Sequence, residues 1–246
     1  MIRNCALGFC AVGDEFIEYG QEFATKISSI LDGTIYIVTN KPEKFTSINK
    51  VRAIRHDKRF SYHDKLLVFK QAFEENNNCV ICVDSDIELL NIADVDFQNI
   101  KDGFYAEQIF HDDSLSFSMK SLLSGCHDNI PYGKQLNRFC FISNYNTNCN
   151  HFQESFMLIK ERNFSKQMNF LNTWAHLARF CEHQDKLRGK NTILGYGEGY
   201  SISIALKNSG INMSIDQEPE EIIEFKKMIS HLKYERHNRN LNRRLQ

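Results

Sequence analysis

Residues 79–90 read CVICVDSDIELL, an apolar strand that runs into two aspartates separated by one serine and then resumes with isoleucine and leucine. A solvated turn after a buried strand accounts for one carboxylate. Asp84 and Asp86 lie two apart, however, so in extended backbone both side chains project from the same face. Two like charges on one face repel unless something positive sits between them. Either this is a solvated strand end, or the strand delivers a cation-binding carboxylate pair to its carboxyl end.

The surrounding chain favours a buried strand. Just upstream, HDKLLVFKQAFEENNN (63–78) has the spacing of an amphipathic helix and ends in an asparagine cluster. Further back, NCALGFCAV (4–12) reads as a first buried strand, followed by a helix with Phe16, Tyr19, Phe23, Ile27, Ile30 and Leu31 at helical spacing. Asp32-Gly33 marks a turn, TIYIVTN (34–40) a second strand stopped by Lys41-Pro42, and VRAIRH (51–56) a short third strand. Alternating strands and helices predict an α/β fold with a largely parallel sheet flanked by helices. In such sheets ligands gather at the carboxyl ends of the strands, where Asp84 and Asp86 fall.

The second half is less regular. GFYAEQIF (103–110), FCFIS (139–143) and FMLIK (156–160) read as strands, NFSKQMNFLNTWAHLARFCEH (163–183) as a long helix, and GEGYSISIALKNSG (197–210) as another that ends at Gly210. Residues 111–132 are polar with few structural signals, and the chain from Glu220 onward is highly charged. With 246 residues and no internal repeat, a single domain spanning 1–246 is expected.

Composition narrows the function. The chain has 30 basic and 31 acidic residues, a formal charge of −1, so nothing draws it in bulk to nucleic acid. A hydrophobic content of 42% with only 3 prolines suits an ordered globular protein. Its 8 cysteines are scattered through predicted strands and helices rather than set in a dense framework, so they read as reduced, buried thiols. Cys79 and Cys82 form a CxxC, but a strand puts positions three apart on opposite faces. The amino end carries no long apolar stretch, which predicts a cytoplasmic protein without a membrane span.

Asp84-Ser85-Asp86, fed by a helix and the strand VICV and followed by IELL, resembles the DxD motif of nucleotide-sugar glycosyltransferases of the GT-A superfamily. Within that superfamily it is loosely similar to the glycogenin-like and blood-group-transferase-like enzymes. The resemblance implies a GT-A-like fold with a nucleotide-binding half (1–90), a donor and acceptor half (91–219) and a charged tail (220–246). It implies a manganese or magnesium ion on Asp84 and Asp86 that holds the diphosphate of a nucleotide sugar, UDP-linked in most relatives. The acceptor would be a glycan or a lipid-linked glycan. Base and ribose contacts would fall on Ala11, Val12, Thr39 and Asn40, at the ends of the first two strands. Lys65 would lie against the sugar-phosphate, unless it is a solvated helix charge.

Further residues follow from the same likeness. Glu198, between two glycines at the mouth of a helix, and Glu154, in HFQESFMLIK, are the candidate catalytic carboxylates for inversion or retention, with retention slightly favoured. Glu198 also suits a plain helix cap. His231 resembles the late histidine that completes the metal site, and Lys233 the basic residue on the diphosphate. The other reading of this tail is a charged helix or frayed end that touches the anionic inner face of a membrane through Arg236, Arg239, Arg243 and Arg244. The runner-up class is a nucleotidyltransferase using the same carboxylate-bound metal, but Gly8 and Gly13 are isolated and no glycine-rich phosphate loop follows the first strand.

Overall fold

The computed structural model describes residues 1–56, 61–84, 86–106, 109–110, 133–147, 149, 151–152, 155–187, 198–213 and 218–231. In chain order the strands of the first half are β1 (Ile2–Arg3), β2 (Ala6–Ala11), β3 (Ile35–Thr39), β4 (Val51–Arg55), β5 (Cys79–Val83), β6 (Ile87–Leu89) and β7 (Val95–Asp96), with helices α1 (Asp14–Ser28) and α2 (Lys65–Glu74). There follow β8 (Gly103–Ala106), β9 (Ile109–Phe110), α3 (Gly133–Ile142), β10 (His151–Phe152), β11 (Phe156–Lys160), α4 (Phe164–Leu187), α5 (Glu198–Ser209), α6 (Glu220–Met228) and β12 (Ile229–His231).

Among these, a six-stranded sheet has the order β4-β3-β2-β5-β11-β8. The first four are mutually parallel, whereas β11 runs antiparallel to both β5 and β8. The chain builds outward from β2 to β4 and then returns to lay β5 on the other side of β2. That reversal opens a crevice at the carboxyl ends of β2 and β5, the usual ligand position in an open α/β sheet.

Each face of the sheet carries its own core. One packs Phe9, Ile37, Ile81 and Leu158 against Ile17, Phe23 and Ile27 of α1 and against Ile222 and Phe225 of α6. The other packs Tyr36, Val80, Cys82 and Ile159 against Val68, Phe69 and Phe73 of α2, Phe170 and Trp174 of α4, and Ile202 of α5. Cys79 joins the first core and Cys82 the second, which is the separation that a strand imposes on a CxxC. Both are free thiols, like Cys5, Cys10, Cys140, Cys149 and Cys181.

The strand expected at 139–143 is instead the end of helix α3. Leu136 and Cys140, one helical turn apart, are buried against Leu177 and Cys181 of α4 and Ile204 of α5, while Phe141 is 86% exposed. A short apolar run does not distinguish strand from helix, and here the four-residue spacing from Leu136 decides it. The segment 103–110 holds two strands, β8 and β9, rather than one; residues 107 and 108 lie outside the described residues. The charged stretch after Glu220 yields α6 and β12, because Ile222, Phe225 and Met228 form an apolar stripe within it. The segment 111–132 lies outside the described residues. No helix among the described residues is long and apolar enough to cross a membrane.

One glycine sets how closely α2 approaches the sheet. A Cβ added to Gly8 on β2 would lie 2.3 Å from Val68 Cγ1 and 2.8 Å from the Tyr36 carbonyl oxygen. Val68 thus seats directly on the β2 backbone, and α2 begins one turn earlier, beyond the strand ends. Gly8→Ala should lower the free energy of unfolding by about 1–3 kcal/mol, the usual cost of overpacking, as read from urea denaturation.

Candidate functional site

The buried face of α2 is made by Lys65, Val68, Phe69, Ala72 and Phe73, at the i, i+3, i+4, i+7, i+8 spacing of a helix stripe. Val68 and its successors meet the sheet. Lys65, one turn nearer the amino end, is carried past the strand tips and into the crevice. Its side chain is therefore not a solvated helix charge but is only 4% exposed.

The Lys65 ammonium lies 2.8 Å from Asp84 Oδ1 and 3.7 Å from Glu198 Oε1. Three elements thus converge on one cation: the start of α2, the residue after β5, and the first residue of α5. Burial alone pushes the Lys65 ammonium down, but the charges of Asp84 and Glu198 outweigh it and hold it well above its ordinary value. The lysine stays charged. Glu198, the first residue of α5, is likewise buried, at 4% exposure. Asp84 keeps a 34% exposed side chain, so it faces Lys65 on one side and open space on another. Removing Lys65 would take away the cation that faces both Asp84 and Glu198, and breaking a buried ion pair costs about 3–5 kcal/mol.

The acidic motif itself differs from an extended strand. β5 ends at Val83; the Asp84 N–H still donates to the Ser155 carbonyl at 3.1 Å, extending the β5–β11 ladder by one bond. Asp86 then sits in a turn that leads into β6, and it is buried. Asp84 is therefore placed by the end of the strand ladder and Asp86 by a turn. Ser85 lies outside the described residues.

The other expected residues collect at the same edge. Ala11 and Thr39 are register partners at the ends of β2 and β3. Val12 follows β2, and the Asn40 Oδ1 accepts from the Gly13 N–H at 3.3 Å, tying the loops after β2 and β3 together. Gly13 has φ 98°, a left-handed conformation that suits glycine, at the mouth of α1. β12 pairs antiparallel with β6, and His231 is the register partner of Ile87, the residue after Asp86. The His231 side chain, Lys233 and Glu154 lie outside the described residues, as do the arginines 236, 239, 243 and 244.

A support for Lys65 is present that the sequence reading did not single out. The Ser61 N–H donates to Asp64 Oδ2 at 2.8 Å and the His63 N–H to Ser61 Oγ at 3.3 Å, a reciprocal cap on the turn leading into α2. His56, whose N–H donates to the Thr39 carbonyl, brings its Nε2 to 3.0 Å from Asp64 Oδ2. The end of β3 is thereby tied to the start of α2. The Trp174 Nε1–H on α4 donates to His63 Nδ1 at 3.0 Å, so the neutral His63 ring carries its proton on Nε2. The S-x-x-D of Ser61–Asp64 was a readable capping signal; the reach from His56 and Trp174 was not.

Two carboxylates are a suitable donor set for a hard divalent cation. Among the described residues no three His, Cys, Asp or Glu side chains gather as a ligand group. Magnesium-type ions are commonly held by one or two carboxylates, with waters and substrate phosphates filling the remaining positions. The carboxylates of Asp84 and Asp86 are donors of that kind, and the described residues gather no thiol-rich or imidazole-rich ligand group. The adjacent Cys10 and Cys82 thiols are pushed up by burial, which leaves them protonated and poor metal ligands.

Burial also pushes His63 down to about 3. The unfolded chain therefore binds a proton between about pH 6.5 and about 3 that the folded chain does not. This contribution to stability is present above about pH 6.5 and is lost as pH falls toward about 3. His63→Asn, whose amide oxygen can still accept from Trp174, should flatten that part of the unfolding free energy profile; an unchanged slope would contradict the assignment. No protein-family model matches the chain and no curated protein matches it, so the reading of this site rests on its geometry and chemistry.

Proposed function

We propose that the protein is a metal-dependent glycosyltransferase of the GT-A kind, moving a sugar from a nucleotide-sugar donor to a glycan or lipid-linked glycan acceptor. The observation that carries this reading is the meeting of Lys65, Asp84 and Glu198 at the crevice where the strand order reverses. A charged, buried lysine beside an acidic pair at that place suits a diphosphate, which needs cations on several sides. The antiparallel return of β11 and the pairing of β12 with β6 add support, because both bring later parts of the chain beside the acidic turn.

In this reading Asp84 and Asp86 hold a manganese or magnesium ion, with His231 at the neighbouring register position. That ion, when bound, neutralises the charge that develops on the departing nucleoside diphosphate. Lys65 supplies a second positive charge in a site of low dielectric, already oriented by α2 and needing no rearrangement. Glu198 acts as the counter-ion that keeps Lys65 charged and aimed. Its burial suits that role better than removal of a proton from an acceptor hydroxyl, which requires access to the acceptor. Val12 and Asn40, which follow β2 and β3, form the wall for the nucleoside, with Ala11 and Thr39 fully buried beneath them. A cytoplasmic location, with the basic tail on the inner membrane face, belongs to the same proposal.

A thermal-shift series with UDP, GDP and CMP sugars, with and without manganese, tests the reading. One nucleotide sugar should raise the melting temperature only when the metal is present, since a ligand that binds the folded state alone stabilises it by mass action. Asp86→Asn should abolish both that shift and metal-dependent hydrolysis of the sugar nucleotide while leaving the fold intact. Undiminished turnover in Asp86→Asn would remove the metal from the mechanism, and stabilisation by nucleoside triphosphates instead of sugar nucleotides would point to nucleotidyl transfer.

A further inference from the structure

We propose that Lys65 is a built-in cation that holds Asp84 in position before a metal arrives and so lowers the affinity of the acidic pair for a free divalent ion; this rests on the metal reading above. The ammonium is already 2.8 Å from Asp84 Oδ1. It cannot swing away easily. Lys65 lies on the buried stripe of α2, Val68 is seated on Gly8, and the turn before the helix is held by Ser61, Asp64 and His56.

Lys65 sets one positive charge against both Asp84 and Glu198, which relieves their mutual repulsion at the end of the sheet. The Asp84 side chain keeps 34% of its surface exposed, a side that a divalent ion can reach. A divalent ion reaching that side meets a carboxylate already shared with a positive charge that also repels the ion. The metal alone is therefore held weakly. A diphosphate that brings four or so acceptor oxygens and its own negative charge offsets the repulsion, because its oxygens complete the metal's coordination and accept from Lys65 as well. Metal and donor thus enter as a mutually reinforcing pair, a coupling that is reciprocal by linkage. Lys65 is accordingly a positioning residue for the acidic turn and a determinant of metal affinity, as well as a phosphate contact.

The experiment measures binding of Mn2+ alone to the full chain, by loss of the free-ion electron paramagnetic resonance signal, for the unmodified protein, Lys65→Met and Lys65→Arg. Circular dichroism checks that each is folded. Lys65→Met should bind Mn2+ roughly tenfold or more tightly, because a cation of like sign has been removed from within a few ångströms. Lys65→Arg keeps the charge and should stay within about threefold of the unmodified protein. If Lys65→Met does not fold, Glu198→Gln gives the complementary readout. It leaves the ammonium to Asp84 and should weaken Mn2+ binding severalfold; equal or tighter binding overturns the proposal. Equal Mn2+ affinity in Lys65→Met and the unmodified protein overturns this inference alone, whereas no Mn2+ binding in any variant overturns both it and the metal reading.

Discussion

A single buried ammonium organises the carboxyl edge of this sheet. Lys65 gives up its hydration on the inner face of α2, a loss that is large for an unpaired charge. The structure answers with Asp84 from the end of β5 and Glu198 from the start of α5. Glu198 is buried with the ammonium, Asp84 keeps an exposed side, and neither is adjacent to Lys65 in sequence. The three-way contact therefore requires that α2, β5 and α5 be docked together. Gly8 makes that docking close by admitting Val68 to the β2 backbone. The polar centre and the apolar core are thus two ends of one packing arrangement.

The strand order gives that centre its setting. Because β5 returns to the far side of β2, the strand order reverses between them, which is where ligands gather in an open α/β sheet. The antiparallel β11 then fixes the acidic turn from the other side, through the bond between the Asp84 N–H and the Ser155 carbonyl. β12 does the same further along by pairing with β6. The first half of the chain forms the crevice, and the second half closes around its acidic lip. This division of labour explains why the strongest functional signal lies a third of the way along the chain while residues that support it come from both ends.

Much of the scaffold was legible because buried strands and amphipathic helices leave periodic traces. The strands near 6–11, 35–39, 51–55, 79–83 and 156–160, and the helices following β2 and preceding β5, were readable from apolar pattern and breakers. The stretch FCFIS misled because five apolar-rich residues carry too little periodicity; Leu136, four residues before Cys140, held the missing information. Lys65 was named as a phosphate candidate, and its burial was implicit in its spacing from Val68, Phe69 and Ala72. What no local pattern conveys is a tertiary meeting. The Lys65–Glu198 contact, the His56–Asp64 tie and the Trp174–His63 bond each join distant segments. Likewise, the same-face argument for Asp84 and Asp86 assumed extended backbone, whereas β5 ends at Val83 and Asp86 lies in a turn.

The central claim is that the acidic turn after β5 grips a cation which in turn holds a donor's phosphates, with Lys65 alongside. Anomalous diffraction from crystals grown with manganese and UDP tests it most directly. The account predicts a manganese peak at the carboxylates of Asp84 and Asp86, next to the diphosphate, with the Lys65 ammonium within hydrogen-bond reach of a phosphate oxygen. A peak elsewhere on the protein, or a nucleotide bound away from this crevice while Lys65 remains closed on Asp84, would contradict it.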